Sequence, residues 1–291
     1  MDTKTYHRVN QLDAHTWRIE EGSGTGRVYM YLLEGERKAL LIDTGIGSIK
    51  LEKIVRKLTS LPVTVINTHG HLDHIGRNAF FEEVYIHSSE EEVVKKHSDT
   101  AYRSQFIKGL LKEKGYADWL VDSFVLESII KKRAKMKAGA SYKYAEEGQV
   151  FLLGNRSVEV ILTPGHSPGS LCLLDIERRW LYTGDTACSM GVLLAIDYSL
   201  TVEEYRKTLE KMKAIGHRYD IMLPAHHDRL IGKDILDEYM ECIAMIYAGC
   251  ANESFETSAA CAAYRAVHKR ISVAYDKNRI HTQKDLSIEE R

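Results

Sequence analysis

The chain has no run of apolar residues that approaches the ~20 needed to span a bilayer, so nothing in its 291 residues reads as a membrane span. The opening stretch "MDTKTYHRVNQLD" is polar and lacks the apolar centre of a secretory signal, so no export signal is expected. No Cys-x-x-Cys pair occurs. The five cysteines are odd in number and fit neither a disulfide frame nor a zinc ribbon; they read as reduced thiols of a cytoplasmic protein. An excess of one charge is also missing, since 40 Lys+Arg stand against 41 Asp+Glu. A net charge of −1 is not that of a molecule built as a whole to bind a polyanion. There is no short-period repeat and no low-complexity segment. What is there is 44% hydrophobic residues, enough for a large core in one domain, alone or with an accessory piece.

Short strands alternate with helices. "RVYMYLLEG" and "KALLIDTG" form a hairpin about Glu36 and Arg37. "SIKLEKIVRKL" carries Ile49, Leu51, Ile54, Val55 and Leu58 at helical spacing. "VTVINT" and "VYIHS" are strands, and "SSEEEVVKKH" opens a helix with Ser89 and Glu92 at capping-box spacing. Residues 98–147 read as helical, aromatic and charged. Strands return in "VFLLG", "SVEVILTPG", "SLCLLDIE" and "WLYTGD". "TVEEYRKTLEKMKAI" is an amphipathic helix with Thr201 and Glu204 as its capping pair, and "IMLPAHH" is a further strand. Residues 229–270 read as helices, with "ISVAYD" as a closing strand. The order implies an α/β protein with an αββα layering, two mixed sheets with helices outside.

The densest chemistry lies in "THGHLDHIG", where His69, His71, Asp73 and His74 fall within six positions just past an apolar strand. In extended backbone, side chains two apart point the same way, so His69 and His71 can grip one ion together. A turn after His71 would send Asp73 and His74 toward a neighbouring point. A zinc ion takes three or four such ligands, so the cluster can begin two sites but cannot finish both. Further ligand-type residues stand where apolar strands give way to loops: His166 in "TPGHSPGS", Asp185 in "YTGDTA" and His226 in "LPAHH". His227 is adjacent to His226 and would point to the opposite face. The remaining histidines, His87 and His97 among them, stand alone and read as ordinary.

Taken in order, Asp43 in "LIDTG", the 69–74 cluster, His166, Asp185 and His226 resemble the metallo-β-lactamase-fold hydrolases over about residues 28–227. The resemblance implies that His69, His71 and His166 hold one metal, that Asp73, His74 and His226 hold a second, and that Asp185 bridges both. Asp43 would stand behind the ligands and orient their rings. Two metals about 3.5–4 Å apart can share a hydroxide that attacks an electrophilic carbonyl or phosphorus centre. Asp73 would also be catalytic, orienting the nucleophile and passing its proton to the leaving group. Antibiotic-degrading members lack a carboxylate at the place of Asp185. Many lactonases carry Tyr where this chain has Cys188, and glyoxalase II members carry an arginine-bearing segment where it reads "GDTACSMGVLL".

The segment 98–147 contains Tyr102, Phe106, Tyr116, Trp119 and Phe124, then the basic run Lys131, Lys132, Arg133, Lys135 and Lys137. It is either a packed helical pair with a solvated face or a cap whose aromatics grip an apolar substrate. On the second reading Tyr102, Phe106 and Trp119 contact substrate, and Cys188 lines the pocket close to Asp185. The expectation is a single domain over 1–291, with a helical insertion at 98–147 and a mainly helical part at 229–291. Its two divalent ions would be zinc, with iron or manganese as alternatives. Its reaction would be hydrolysis of a carboxylic ester, thioester or lactone. Phosphodiesterase or nuclease-type hydrolysis and iron-dependent oxidoreduction are the alternatives on the same ligands. The expected partner is a small-molecule substrate, with no membrane, no nucleic acid, and a homodimer left open.

Overall fold

The computed structural model describes residues 7–22, 26–110, 142–258 and 261–282. Seven strands make the first sheet: β1 (His7–Asp13), β2 (Thr16–Glu21), β3 (Val28–Glu34), β4 (Ala39–Ile42), β5 (Val63–Ile66), β6 (Val84–Ile86) and β7 (Tyr142–Tyr144). Their order in space is their order in sequence, antiparallel from β1 to β4 and parallel from β4 to β7. The second sheet contains β8 (Val150–Leu152), β9 (Ser157–Leu162), β10 (Leu171–Asp175), β11 (Trp180–Gly184) and β13 (Ile221–Pro224). They run in the order β13-β11-β10-β9-β8, with only β11 and β13 parallel.

Side-chain alternation explains the layering. On β3, Tyr29, Tyr31 and Leu33 face one way and join Leu171, Leu173, Tyr182 and Leu223 of the second sheet in a shared core. Met30 and Leu32 face the other way, with Ile19, Leu41 and Val65, against Leu51 and Val55 of helix α1 (Leu51–Leu58). On β10, Cys172 and Leu174 turn outward to meet helices α4 (Val202–Ala214) and α5 (Ile235–Tyr247) through Tyr205, Leu209, Tyr239 and Ile243. A two-residue period thus feeds three apolar layers from two sheets, and the αββα expectation is met. No helix among the described residues is long and apolar enough to cross a membrane.

Helix starts are secured in two ways. Thr201 accepts from the Glu204 backbone N–H at 3.2 Å, the predicted cap of α4. Helix α1 has no side-chain cap of its own. The buried Glu21 of β2 anchors the turn that leads into it, accepting from the backbone N–H groups of Gly47, Ser48 and Ile49.

Three expectations need correction. The Ser89–Glu92 capping box does not form: a 3-10 turn over Ser88–Glu90 precedes α2 (Glu91–Ser98), and the His87 ring accepts from Ser89 N–H. The 98–147 segment is helical over α3 (Thr100–Leu110), but Tyr142–Tyr144 is a strand. "YKY" alternates aromatic and charged residues but is too short to stand out from the helical pattern around it, and it becomes extended where the edge of β6 offers it a parallel partner. Tyr116, Trp119, Phe124 and the basic run 131–137 lie outside the described residues. The third correction concerns residues 229–291, where α5 is followed by β14 (Asn252–Thr257), β15 (Ala262–His268) and β16 (Ile271–Tyr275). With β12 (Val192–Leu194) these form a four-stranded sheet in the order β12-β16-β15-β14. "AAYRAVH" has alanine-rich helical propensity. Pairing with "ISVAY" overrides it, and Ala266, Ile271 and Val273 fill the layer beneath α5.

Candidate metal centre

Every residue of the predicted cluster sits just beyond a strand end, on one edge of the two-sheet core. β4 ends at Ile42 and Asp43 follows with φ +62, a left-handed backbone that Asp tolerates better than most residues. β5 ends at Ile66 before the 69–74 stretch, β9 before His166, β11 before Asp185 and β13 before His226.

Hydrogen bonds fix the rings. Asp43 accepts from Thr68 N–H through Oδ1 and from the Thr68 hydroxyl through Oδ2, both at 2.8 Å. The same Oδ2 lies 2.8 Å from His74 Nδ1. Because the Thr68 hydroxyl donates to Asp43, it accepts from His69 Nδ1, 3.1 Å away. His166 Nδ1 donates to the Leu193 carbonyl at 2.9 Å, and His226 Nδ1 to the Arg27 carbonyl at 2.8 Å. Four rings thereby carry a proton on Nδ1 and turn Nε2 inward. His71 is the exception, with its Nδ1 3.0 Å from His166 Nε2.

The inward atoms converge. Three groups each keep one ligating atom per residue within 4.8 Å of the others: His69, His71 and His166; His69, His74 and Asp185; Asp73, His74 and His226. Asp185 faces both halves, with Oδ2 3.5 Å from His166 Nε2 and Oδ1 3.4 Å from the Nε2 atoms of His74 and His226. Asp73 Oδ2 lies 3.4 Å from His226 Nε2. The Nε2 atoms of His69, His71 and His74 and Oδ1 of Asp185 are buried without a hydrogen-bond partner. Buried polar atoms left so are costly in a folded protein, and imidazole nitrogens with carboxylate oxygens are the donor set that zinc and similar ions accept. The residues present fit a metal.

The electrostatics agree. Burial, aided by neighbouring rings, holds His69 and His71 well below the usual histidine range, and burial lowers His166. All three are neutral, as ligation requires. Burial would lower His74 and His226 as well, but Asp43, Asp73 and Asp185 outweigh it for His74 and push it up to about 10, and Asp185 and Asp73 outweigh it for His226 and push it up to about 9, so a bound ion would displace a proton from each. Burial opposes ionisation of Asp73 and Asp185, yet the adjacent rings hold both carboxyls below their ordinary range. Three carboxylates at one buried point demand positive charge.

The other candidates fall differently. His227 adopts φ +66 and its ring lies outside the three groups. Cys188 is buried and its Sγ lies 3.5 Å from the Gly184 carbonyl, so it is a packed thiol and offers no wall to a substrate. Burial and the nearby Asp185 push that thiol well above its ordinary value. Tyr102 and Phe106 are half-buried on α3, their rings stacked at 6.3 Å. Tyr102 packs against His97, whose buried ring lies 4.6 Å from that of His71 and accepts from Leu72 N–H. In sequence His97 is an isolated histidine, and only the approach of α2 to the 69–74 stretch reveals its place. A cluster of arginines is likewise invisible in the sequence. Arg18, Arg27 and Arg229 surround the buried carboxylate of Glu20, three cations on one anion, beside the loop that carries His226.

Residues 23–226 match the family described as the metallo-beta-lactamase superfamily. Over 211 residues the chain is 26% identical to the acyl-coenzyme A thioesterase MBLAC2 of Gallus gallus, spanning 69% of this chain and 72% of that protein. It is 25% identical to the probable polyketide biosynthesis zinc-dependent hydrolase BaeB of Bacillus velezensis over 203 residues, 68% of this chain and 72% of that one. In fold it is similar to a metallo-beta-lactamase family protein from Thermus thermophilus, with a TM-score of 0.58 at 17% identity, over 84% of this chain and 85% of that one. The strand-end cluster of five histidines and three aspartates is thus set in a recognised frame, and the chain belongs to the metallo-beta-lactamase superfamily.

Proposed function

We propose that this protein is a dinuclear metal-dependent hydrolase that cleaves thioesters. The carrying observation is the pair of adjoining ligand groups, His69/His71/His166 and Asp73/His74/His226, with Asp185 facing both. These are the ligands of two ions, zinc first, with iron or manganese as alternatives. Bound ions would lower the pKa of a water toward ~7 and take up negative charge on the carbonyl oxygen. Asp43 keeps His69 and His74 oriented. Asp73 is the most exposed carboxylate of the cluster, 31% against 17% for Asp185. It is therefore the group placed to orient the attacking water and carry its proton to the departing sulfur. Water adds to the carbonyl carbon, the carbon–sulfur bond breaks, and acid and thiol leave.

The thioester preference draws support from the similarity to MBLAC2 of Gallus gallus and to the atrochrysone carboxyl ACP thioesterase of Aspergillus fumigatus, the latter 26% identical over 67% of this chain and 49% of that one. The arginines around Glu20 point the same way. Three guanidiniums on one carboxylate leave two positive charges in surplus, and Arg27 and Arg229 keep side-chain exposures of 24% and 45%. That is chemistry for the phosphates of a coenzyme A or phosphopantetheine thiol. Tyr102 and Phe106 remain the candidates for an apolar wall along the acyl chain. The site would work in the cytoplasm.

The test is thiol release from acyl-coenzyme A by zinc-loaded protein, abolished by a chelator and restored by zinc. Cleavage of phosphodiesters alone would replace this reading with the runner-up.

A further inference from the structure

Glu90 has no place in the ligand set or in the chemistry above, yet it is fully buried. It closes the 3-10 turn before α2. Its two oxygens part to different loops. Oε2 accepts from Gly70 N–H at 2.7 Å and Oε1 from Gly169 N–H at 2.6 Å. Gly70 lies between His69 and His71, and Gly169 follows His166 by three positions. One carboxylate therefore joins the two loops that supply the histidines of the first group.

Both loops are shaped for that approach. A Cβ at Gly70 would stand 2.9 Å from a Val94 methyl and 3.1 Å from Glu90 Oε2. A Cβ at Gly169 would stand 2.9 Å from Glu90 Cγ. Only bare backbone lets α2 come so close. Charge-assisted bonds from backbone N–H to a buried carboxylate are short and directional, so the fork fixes the distance between the loops as well as linking them. A backbone bond from Leu171 N–H to the Thr68 carbonyl, 2.8 Å, closes the same pair of loops farther out. His74 N–H donates to the His71 carbonyl at 3.0 Å, but its ring and its carbonyl are held by other means: Asp43 on the ring, and Thr44 N–H and the Asn67 amide on the carbonyl.

We propose that Glu90 is a positioning residue for the first metal: it sets the spacing of His69 and His71 against His166 and leaves the Asp73/His74/His226 group untouched. This rests on the two-ion reading. Glu90→Gln keeps the shape but offers one acceptor, and sets its NH₂ against the other loop's N–H. Glu90→Ala removes the fork.

Zinc is titrated into chelator-stripped full-length protein against a competing chromogenic chelator, and His226→Ala shows which dissociation constant belongs to which group. Glu90→Gln is expected to weaken the His69/His71/His166 ion by roughly 10–100-fold, as loss of ligand support commonly does. The other ion should change by less than about threefold, and the cobalt-substituted spectrum should alter for the first ion alone. Wild-type affinity for both ions in Glu90→Gln overturns the proposal. So does an equal weakening of both ions that follows a lowered melting temperature of the metal-free protein, since that is only loss of fold. If Glu90→Ala does not fold, the isosteric Gln variant decides. A wild-type chain that binds fewer than two ions refutes the dinuclear reading itself, a result distinct from equal binding by wild type and variant.

Discussion

Asp43 Oδ2 lies 2.8 Å from His74 Nδ1, two buried groups 31 residues apart brought together by the parallel pairing of β4 with β5. The carboxylate also reaches His69 through the Thr68 hydroxyl, so one aspartate orients rings in both ligand groups. Asp43→Asn tolerates the left-handed backbone but loses the charge. It should reduce metal affinity or kcat/KM by roughly 10–100-fold. Zinc retained after dialysis against a graded chelator series is the measurement.

Removal of Asp185 should do more. Both of its oxygens face rings, Oδ2 toward His166 and Oδ1 toward His74 and His226. Wild type should hold two ions per chain by elemental analysis. Asp185→Ala should hold at most one and lose nearly all turnover. Unchanged metal content in that variant would take Asp185 out of the site.

Neighbouring histidines should behave differently. His226→Ala removes a ring 3.4 Å from both Asp73 and Asp185 and should deplete one ion. His227→Ala should leave metal content near normal, because its ring belongs to none of the three ligand groups. Metal-to-protein ratios measured side by side would expose a wrong register in this loop.

The arginine cluster should affect binding more than chemistry. Arg229→Ala should raise KM for an acyl-coenzyme A by roughly tenfold, the scale of one charged hydrogen bond. A phosphate-free thioester should be unaffected, and kcat should change little for either substrate. Equal effects on both substrates would mean that Arg229 acts only through Glu20 and the fold.

One prediction concerns stability alone. The Arg156 guanidinium is buried and joins the two sheets: it binds Asp175 of β10, the His15 carbonyl at 2.9 Å and the Thr16 hydroxyl at 2.9 Å. Arg156→Met takes from the buried Asp175 its main partner and leaves it only Arg178, with the backbone N–H at 3.3 Å and the guanidinium at 4.0 Å, which should cost about 3 kcal/mol. Chemical denaturation of the metal-free protein would read it, and a loss below about 1 kcal/mol would refute it.

The candidate ligand set is legible in the sequence because metal chemistry restricts residue type. Few side chains ligate an ion, and each sits where a run of apolar residues stops, so type and place reinforce each other. Much of the layering is legible too, because β3 and β10 bury both faces and must be covered on both sides. The cap is less so. Tyr102 reads in sequence as a substrate contact, and the structure sets its ring against His97.

By itself the sequence determined the family, the strand-end position of the eight site residues and the start of α4 at Thr201, because these follow from local spacing and side-chain chemistry. Tertiary structure alone decided the rest. "AAYRAVH" is a strand because a neighbouring edge pairs with it, a preference that lies outside the segment, and the three residues of "YKY" are too few to mark a strand until β6 pairs with them. Glu90 reads in sequence as one more acid in "SSEEEVV". Only when α2 packs against the loops of Gly70 and Gly169 does its carboxylate become a link between them. A hydrogen-bond partner 79 residues away leaves no periodic mark in the chain, since geometry in space, not spacing in sequence, sets that bond.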